Sequence, residues 1–227
     1  MGPRRRQTAD PSRRVAAALL MCLAGPLAAP PGTAPDLEAE LAASRVPTAW
    51  LAEVYRTYDL TKPWKEARLQ VRRLLDQGAN REAIAIAYDY VVSRHASPDD
   101  HEYGLYLCLG GEYAWATQVY RDRLAANPDH ETLDYANLGS LYLHYGRTED
   151  AGKVLEEGLL RLPRPPCDVP NQAKLNERLG DVEARRGDRE HARQHYALAV
   201  DAITAATVTR DAIVEATYRA ALKAGLK

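Results

Sequence analysis

Residues 132–165 read TLDYANLGSLYLHYGRTEDAGKVLEEGLLRLPRP. The apolar and small residues recur at helical spacing, not in the alternation of a strand. Leu138, Gly139 and Tyr142 share one side of a first helix, and Ala151 and Leu155 lie four apart on a second. Gly146 separates the two where a helix ends on a left-handed residue, and Pro163 stops the second helix. One antiparallel pair of this kind cannot bury its apolar face, but a stack of three or more can.

The pattern returns on both sides. Residues 97–130 hold Gly104, Leu107, Gly111, Ala116, Tyr120 and Pro128. Residues 173–206 hold Leu179, Gly180, Gly187, Ala192, Tyr196 and Ala199, and residues 64–96 keep Leu74, Gly78 and Ala83. The turn glycines 78, 111, 146 and 187 are separated by 33, 35 and 41 residues. The last gap implies an insertion of seven residues, about 166–172, in the proline-rich stretch LPRPPCDVPN. Gly104, Gly139 and Gly180 face the second helix of their pair and let the axes approach, as do Ala116, Ala151 and Ala192 from the other side. Tyr120, Tyr142 and Tyr196 are expected to fill the space between units.

This long pattern resembles the tetratricopeptide repeat (TPR). The resemblance implies an all-α, right-handed superhelical solenoid with four repeats at 64–96, 97–130, 132–165 and 173–206. Residues 37–63, with Trp50, Leu51, Val54 and Tyr58 on one helix, are expected to cap the first repeat. Residues 207–227, with Ile213, Val214, Tyr218 and Leu222, are expected to cap the last.

The 227 residues are 46% hydrophobic and 27% charged, which excludes wholesale disorder. Net charge is −1, unevenly spread. Five arginines against Asp10 give residues 1–29 a charge of +4, leaving −5 on the rest. An acidic body without a dense basic stripe is not a nucleic-acid footprint. The absence of Phe beside 13 Tyr is a compositional bias without functional weight.

Residues 1–24 read as a secretory signal peptide: a basic start, the apolar run Val15–Leu23 and small residues at Cys22 and Ala24. The mature chain is expected to begin near residue 25 or 30, and 25–36 is a Pro/Gly-rich linker. Ser12-Arg13-Arg14 also resembles a twin-arginine signal, Cys22 a lipoprotein cysteine, and the Arg- and Ala-rich composition an organellar transit peptide. The apolar run is too short for a membrane span. The cysteines, Cys22, Cys108 and Cys167, form no C-x-x-C pair. Cys108 and Cys167 would pair only if the fold brought them together.

In TPR proteins the first helices of successive repeats line a concave groove. Carried over, the resemblance places Lys65, Arg68 and Arg72 at one end. His101, Leu105, Cys108 and Leu109, then Ala136, Asn137, Ser140 and His144, form the middle. Lys174, Glu177, Arg178, Asp181 and Arg185 form the far end. Such a face suits a protein or peptide with acidic and apolar residues. Some TPR co-chaperones clamp a terminal carboxylate with Lys and Asn, then Asn, then Lys and Arg. Asn137, Lys174 and Arg178 match the last three positions, whereas His101 and Leu105 stand where the first Lys and Asn belong.

His191 and His195 share a helix face four residues apart, a metal-chelating spacing, but Ala192 takes the place of the Glu of a metalloprotease helix. They are expected on the convex side as solvated residues. No nucleophile elbow, phosphate loop or dinucleotide fingerprint occurs. The expected function is non-catalytic: a protein-interaction scaffold, without cofactor or metal, in the bacterial cell envelope. An intracellular or organellar chaperone adaptor is the alternative.

Overall fold

The structure is a computed structural model, and it describes residues 34–43, 47–94, 101–129, 132–162 and 169–205. The expected signal peptide at 1–24, most of the expected linker, Cys22, Cys167 and the expected cap at 207–227 lie outside the described residues, as does the side chain of His101.

Among the described residues there are ten α-helices. These are α1 (Leu37–Ala43), α2 (Thr48–Thr57), α3 (Trp64–Asp76), α4 (Asn80–Tyr88), α5 (His101–Gly110), α6 (Tyr113–Ala126), α7 (Thr132–His144), α8 (Thr148–Leu160), α9 (Val169–Arg186) and α10 (Arg189–Ala205). A π-helical turn, Asp89–Ser93, extends α4. Helices α3/α4, α5/α6, α7/α8 and α9/α10 are the successive pairs. Each packs on its partner and then on the next pair, with α3 against α5 and α7 against α9 as well. The result is an all-α solenoid.

The turns within the pairs repeat atom for atom. Gly78, Gly111, Gly146 and Gly187 have φ of 76°, 85°, 69° and 85°. The amide after each glycine donates five residues back: Ala79 to Leu74, Glu112 to Leu107, Arg147 to Tyr142 and Asp188 to Glu183, at 2.8–2.9 Å. This is the Schellman closure, which satisfies orphan carbonyls at a helix end and needs a left-handed residue.

The core runs continuously along the stack. Val71, Ile84, Leu107 and Tyr120 anchor its first half, and Leu155, Leu175, Leu179 and Val182 its second. Tyr120 and Tyr196 seat their rings inside their own pairs rather than between units, against Gly104 and Gly180, although the Tyr120 hydroxyl reaches the next pair at Asn137. Tyr142 is half-buried and stacks between two arginines.

Two other expectations are corrected. Residues 169–172 are helical, so the insertion lengthens α9 instead of forming only a loop. Pro170 falls in the first turn, where its missing N–H costs nothing, and Asn171 Nδ2 donates to Thr132 Oγ1 at 3.2 Å. At the other end α2 packs on α4, but α1 reaches α6. Only the later part of 37–63 therefore covers the first pair.

Buried ties hold α2 and the following loop. Asp89, 1% exposed, pairs with Arg94 at 2.6 Å and accepts from the Tyr55 hydroxyl. Tyr90 Oη donates to Leu60 O at 2.9 Å and Lys62 O at 2.7 Å, and Arg94 donates to Leu60 O at 2.6 Å.

Candidate functional site: the first-helix face

The first helices of the pairs carry most of the polar groups expected to meet a partner. At the α3 end, Lys65 is exposed. Arg72 lies 2.9 Å and Arg68 3.5 Å from the same carboxylate, Glu102 on α5. Two guanidiniums thus share one acid, and the arrangement binds α3 to α5 while keeping a positive excess. Tyr106 Oη donates to Glu102 at 3.2 Å, and burial pushes this phenol up to about 12.

In the middle, Leu105 and Leu109 are half-buried and Cys108 is buried. Ala136 is buried. Ser140 Oγ donates to its own helix at Ala136 O, 2.8 Å away. His144 packs between Tyr113 and Tyr145, with ring centroids 4.6 and 5.0 Å away. Burial lowers its pKa. Glu40 opposes that shift, and Arg185 reinforces it.

Asn137 departs from expectation. It is 6% exposed, and its amide donates to Tyr120 Oη at 3.0 Å. It ties α6 to α7 and presents little to a partner. At the far end Lys174 and Glu177 are half-buried. Arg178 pairs with Asp181 at 3.0 Å, and Asp181 also accepts from Tyr196 Oη at 2.8 Å. Arg185 donates to Leu143 O, joining α9 to α7, and burial lowers its pKa. Two of the three matches to a carboxylate clamp, Asn137 and Arg178, are therefore engaged inside the chain.

Glu102 was the residue that sequence reasoning missed on this face. Its signal was legible in principle: an acid in the first turn of α5, one position after His101, at the level of Arg68 and Arg72 in the preceding pair. A second feature was also missed. A cavity of about 510 Å³ is walled by Tyr88, Tyr103 and Trp115 and reaches Arg123 and Asp134. Tyr103 and Trp115 meet edge to face at 5.8 Å, and Arg123 and Asp134 pair at 2.8 Å.

The two histidines have separate partners. His191 Nδ1 lies 2.7 Å from Asp188, while His195 Nδ1 lies 3.1 Å from Asn176 Oδ1. Among the described residues no His/Cys/Asp/Glu group has metal-holding geometry, and no helix is long and apolar enough to cross a membrane.

These features define the class: an all-α, TPR-like helical-repeat solenoid. No protein-family model and no curated protein matches the sequence. Among solved structures, the chain is similar to MamA (41-end) from Desulfovibrio magneticus RS-1, at 18% identity and a TM-score of 0.50, covering 88% of this chain and 99% of that one. A MamA RS-1 double mutant aligns at 18% identity and a TM-score of 0.50, over 76% and 93% of the two chains. A type III secretion (T3SS) complex chain from Aeromonas hydrophila aligns at 14% identity and a TM-score of 0.48, over 60% and 85%.

Proposed function

We propose that this protein is a non-catalytic interaction scaffold that binds an acidic, partly apolar protein or peptide segment along its first-helix face, in the bacterial cell envelope. One observation carries the choice of partner. Arg68 and Arg72 gather against the carboxylate of Glu102, with Lys65 exposed on the same helix and Leu105 and Leu109 half-buried on α5. Positive excess next to apolar surface favours a partner of opposite charge and steers its approach. The envelope location rests on the leader-like residues 1–24. The carboxylate-clamp alternative gains no support from Asn137 and Arg178, which are committed to Tyr120 and Asp181.

A crosslinked pull-down with the full chain tests the reading, beside a Lys65→Glu, Arg68→Glu variant. Both side chains are at least partly exposed, so the variant is expected to keep its helical spectrum and melting point. A partner captured by the wild type and lost from the variant supports the first-helix face. Capture that survives charge reversal counts against it. N-terminal sequencing of the chain expressed in a bacterium tests the leader, with a start near residue 25 or 30 expected.

A further inference from the structure

Helix α1 breaks the neighbour-to-neighbour order of the stack. It lies along the edge formed by the turns at Gly111 and Gly146 and packs on α6, whereas α2, which follows it in sequence, packs on α4. Leu37, 3% exposed, buries against Ala114 and Tyr145, with Tyr113 and Tyr142 around it. Glu38 lies 3.0 Å from Arg147 and 3.5 Å from Arg121. Glu40 accepts a hydrogen bond from Tyr145 Oη at 2.5 Å.

The surface beneath α1 is organised by contacts of its own. The Tyr142 ring sits between Arg121 and Arg147, whose guanidinium carbons lie 5.3 and 5.1 Å from its centroid. Arg121 Nε donates to Tyr142 Oη at 2.9 Å, and Arg147 Nε to Asp150 at 2.7 Å. None of these contacts involves α1. Helix α1, by contrast, has seven residues, too few to hold a helix alone. Its grip is the buried Leu37, the partly buried Leu41 and two acids, of which Glu38 is 67% exposed, so that its ion pairs are weak and salt-sensitive. A preformed basic and aromatic seat thus holds a short, loosely attached acidic helix.

We propose that this turn edge is a docking site for an acidic amphipathic helix of a partner protein, one with a leucine followed by acids at the next and third positions. Helix α1 occupies the site as an internal ligand, and the partner binds by displacing it. The site adjoins the first-helix face at His144, which packs on Tyr113 and Tyr145, and does not depend on that face binding anything.

The probe is a labelled, capped peptide of residues 34–43, APDLEAELAA. Its binding is measured by anisotropy to the full wild-type chain and to a full chain carrying Leu37→Asp, Glu38→Lys and Glu40→Lys, whose own α1 cannot dock. A tethered segment competes at an effective concentration of about millimolar. The released chain is therefore expected to bind at least about 10-fold more tightly than wild type. Adding Arg121→Glu and Arg147→Glu should abolish that binding, and a peptide with both glutamates replaced by lysine should not bind. Tyr145→Phe removes one hydroxyl with little risk to folding and should weaken binding about threefold or more. No saturable binding to the released chain up to millimolar peptide overturns the proposal. So does equal binding to both chains, or binding that survives the arginine reversals. A wild-type dimer that dissociates on release of α1 would place α1 on a second copy and overturn the internal arrangement.

Discussion

The ring of Tyr196 occupies the space that a side chain at Gly180 would need. A Cβ built on Gly180 would clash with Cε1 and Cδ1 of that ring and stand 2.8 Å from Cζ. The same relation recurs between Gly104 and Tyr120, at 2.7 Å, and between Gly139 and Leu155, at 2.5 Å. A glycine on the first helix thus seats a large residue of the second.

Two glycine substitutions should therefore have opposite signs. Ala in a helix interior gains about 1 kcal/mol over Gly. At Gly180 that gain meets a clash with a rigid, buried ring, and overpacking costs about 1–3 kcal/mol. Gly180→Ala is expected to lower stability by up to about 2 kcal/mol. At Gly152 the nearest atom is the guanidinium tip of Arg186, 3.0 Å away, which can swing aside. Gly152→Ala should be neutral or stabilising by up to about 1 kcal/mol. Urea melts of both variants decide the matter. A Gly180→Ala chain as stable as wild type would remove the packing argument.

Two buried tyrosines should differ when they lose their hydroxyls. Tyr103 Oη is buried without a hydrogen-bond partner, and burial raises its pKa. Tyr120 Oη accepts from Asn137, itself buried. Tyr103→Phe removes an unsatisfied group and is expected to raise stability by about 1 kcal/mol. Tyr120→Phe strands the Asn137 amide and should lower stability by about 1–2 kcal/mol. Thermal melts that rank the two variants the other way would contradict this reading.

Acidification should weaken the fold through His144. Burial lowers its folded pKa below 6.5, its ordinary value. Once pH falls below that value, the unfolded chain binds a proton that the folded chain resists, so stability is lost toward the folded pKa. His195 is lowered for the same cause, whereas exposed His191 is raised by Asp188 and acts in the opposite direction. The charged groups acting on His144 are Glu40 of α1 and Arg185 of α9. His144→Leu is expected to reduce the stability lost between pH 6.5 and 5. Identical pH dependence in mutant and wild type would exclude His144 as a source.

The features legible in the sequence are those that a local rule dictates. Gly78, Gly111, Gly146 and Gly187 announce their turns because the Schellman closure requires a left-handed residue, and all four have positive φ. The helix pairs follow from small residues at fixed offsets. What escaped depends on partners distant in sequence. Nothing in LEAELAA states that Leu37 will meet Ala114 and Tyr145. Asn137 could be placed on a helix but not assigned to the buried side of it, since that choice is made by Tyr120 on another helix. Tyr120 and Tyr196 were recognised as space-fillers and placed between units, because spacing alone does not say which gap a ring enters. Pro170 fell within the expected insertion, ahead of the repeat at 173, although proline is at home in a first helical turn.

The arginines should separate into structural and superficial ones. Asp89 is 1% exposed and depends on Arg94, which also reaches Leu60 O. Arg94→Ala leaves a buried carboxylate with only the Tyr55 hydroxyl, so the loss should reach about 2 kcal/mol or more, as for one partner removed from a buried pair. Arg161 contacts Asp129 at the same 2.6 Å, but Asp129 is 79% exposed and water replaces what the mutation removes. Arg161→Ala should leave stability nearly unchanged. Hydrogen exchange adds a spatial test. Arg94→Ala should deprotect the amides of α2 first, because the Tyr55–Asp89–Arg94 chain fastens that helix to the first pair. Uniform loss of protection along the stack would mean instead that α2 is held by its apolar contacts, Val54 above all, with the ionic chain secondary.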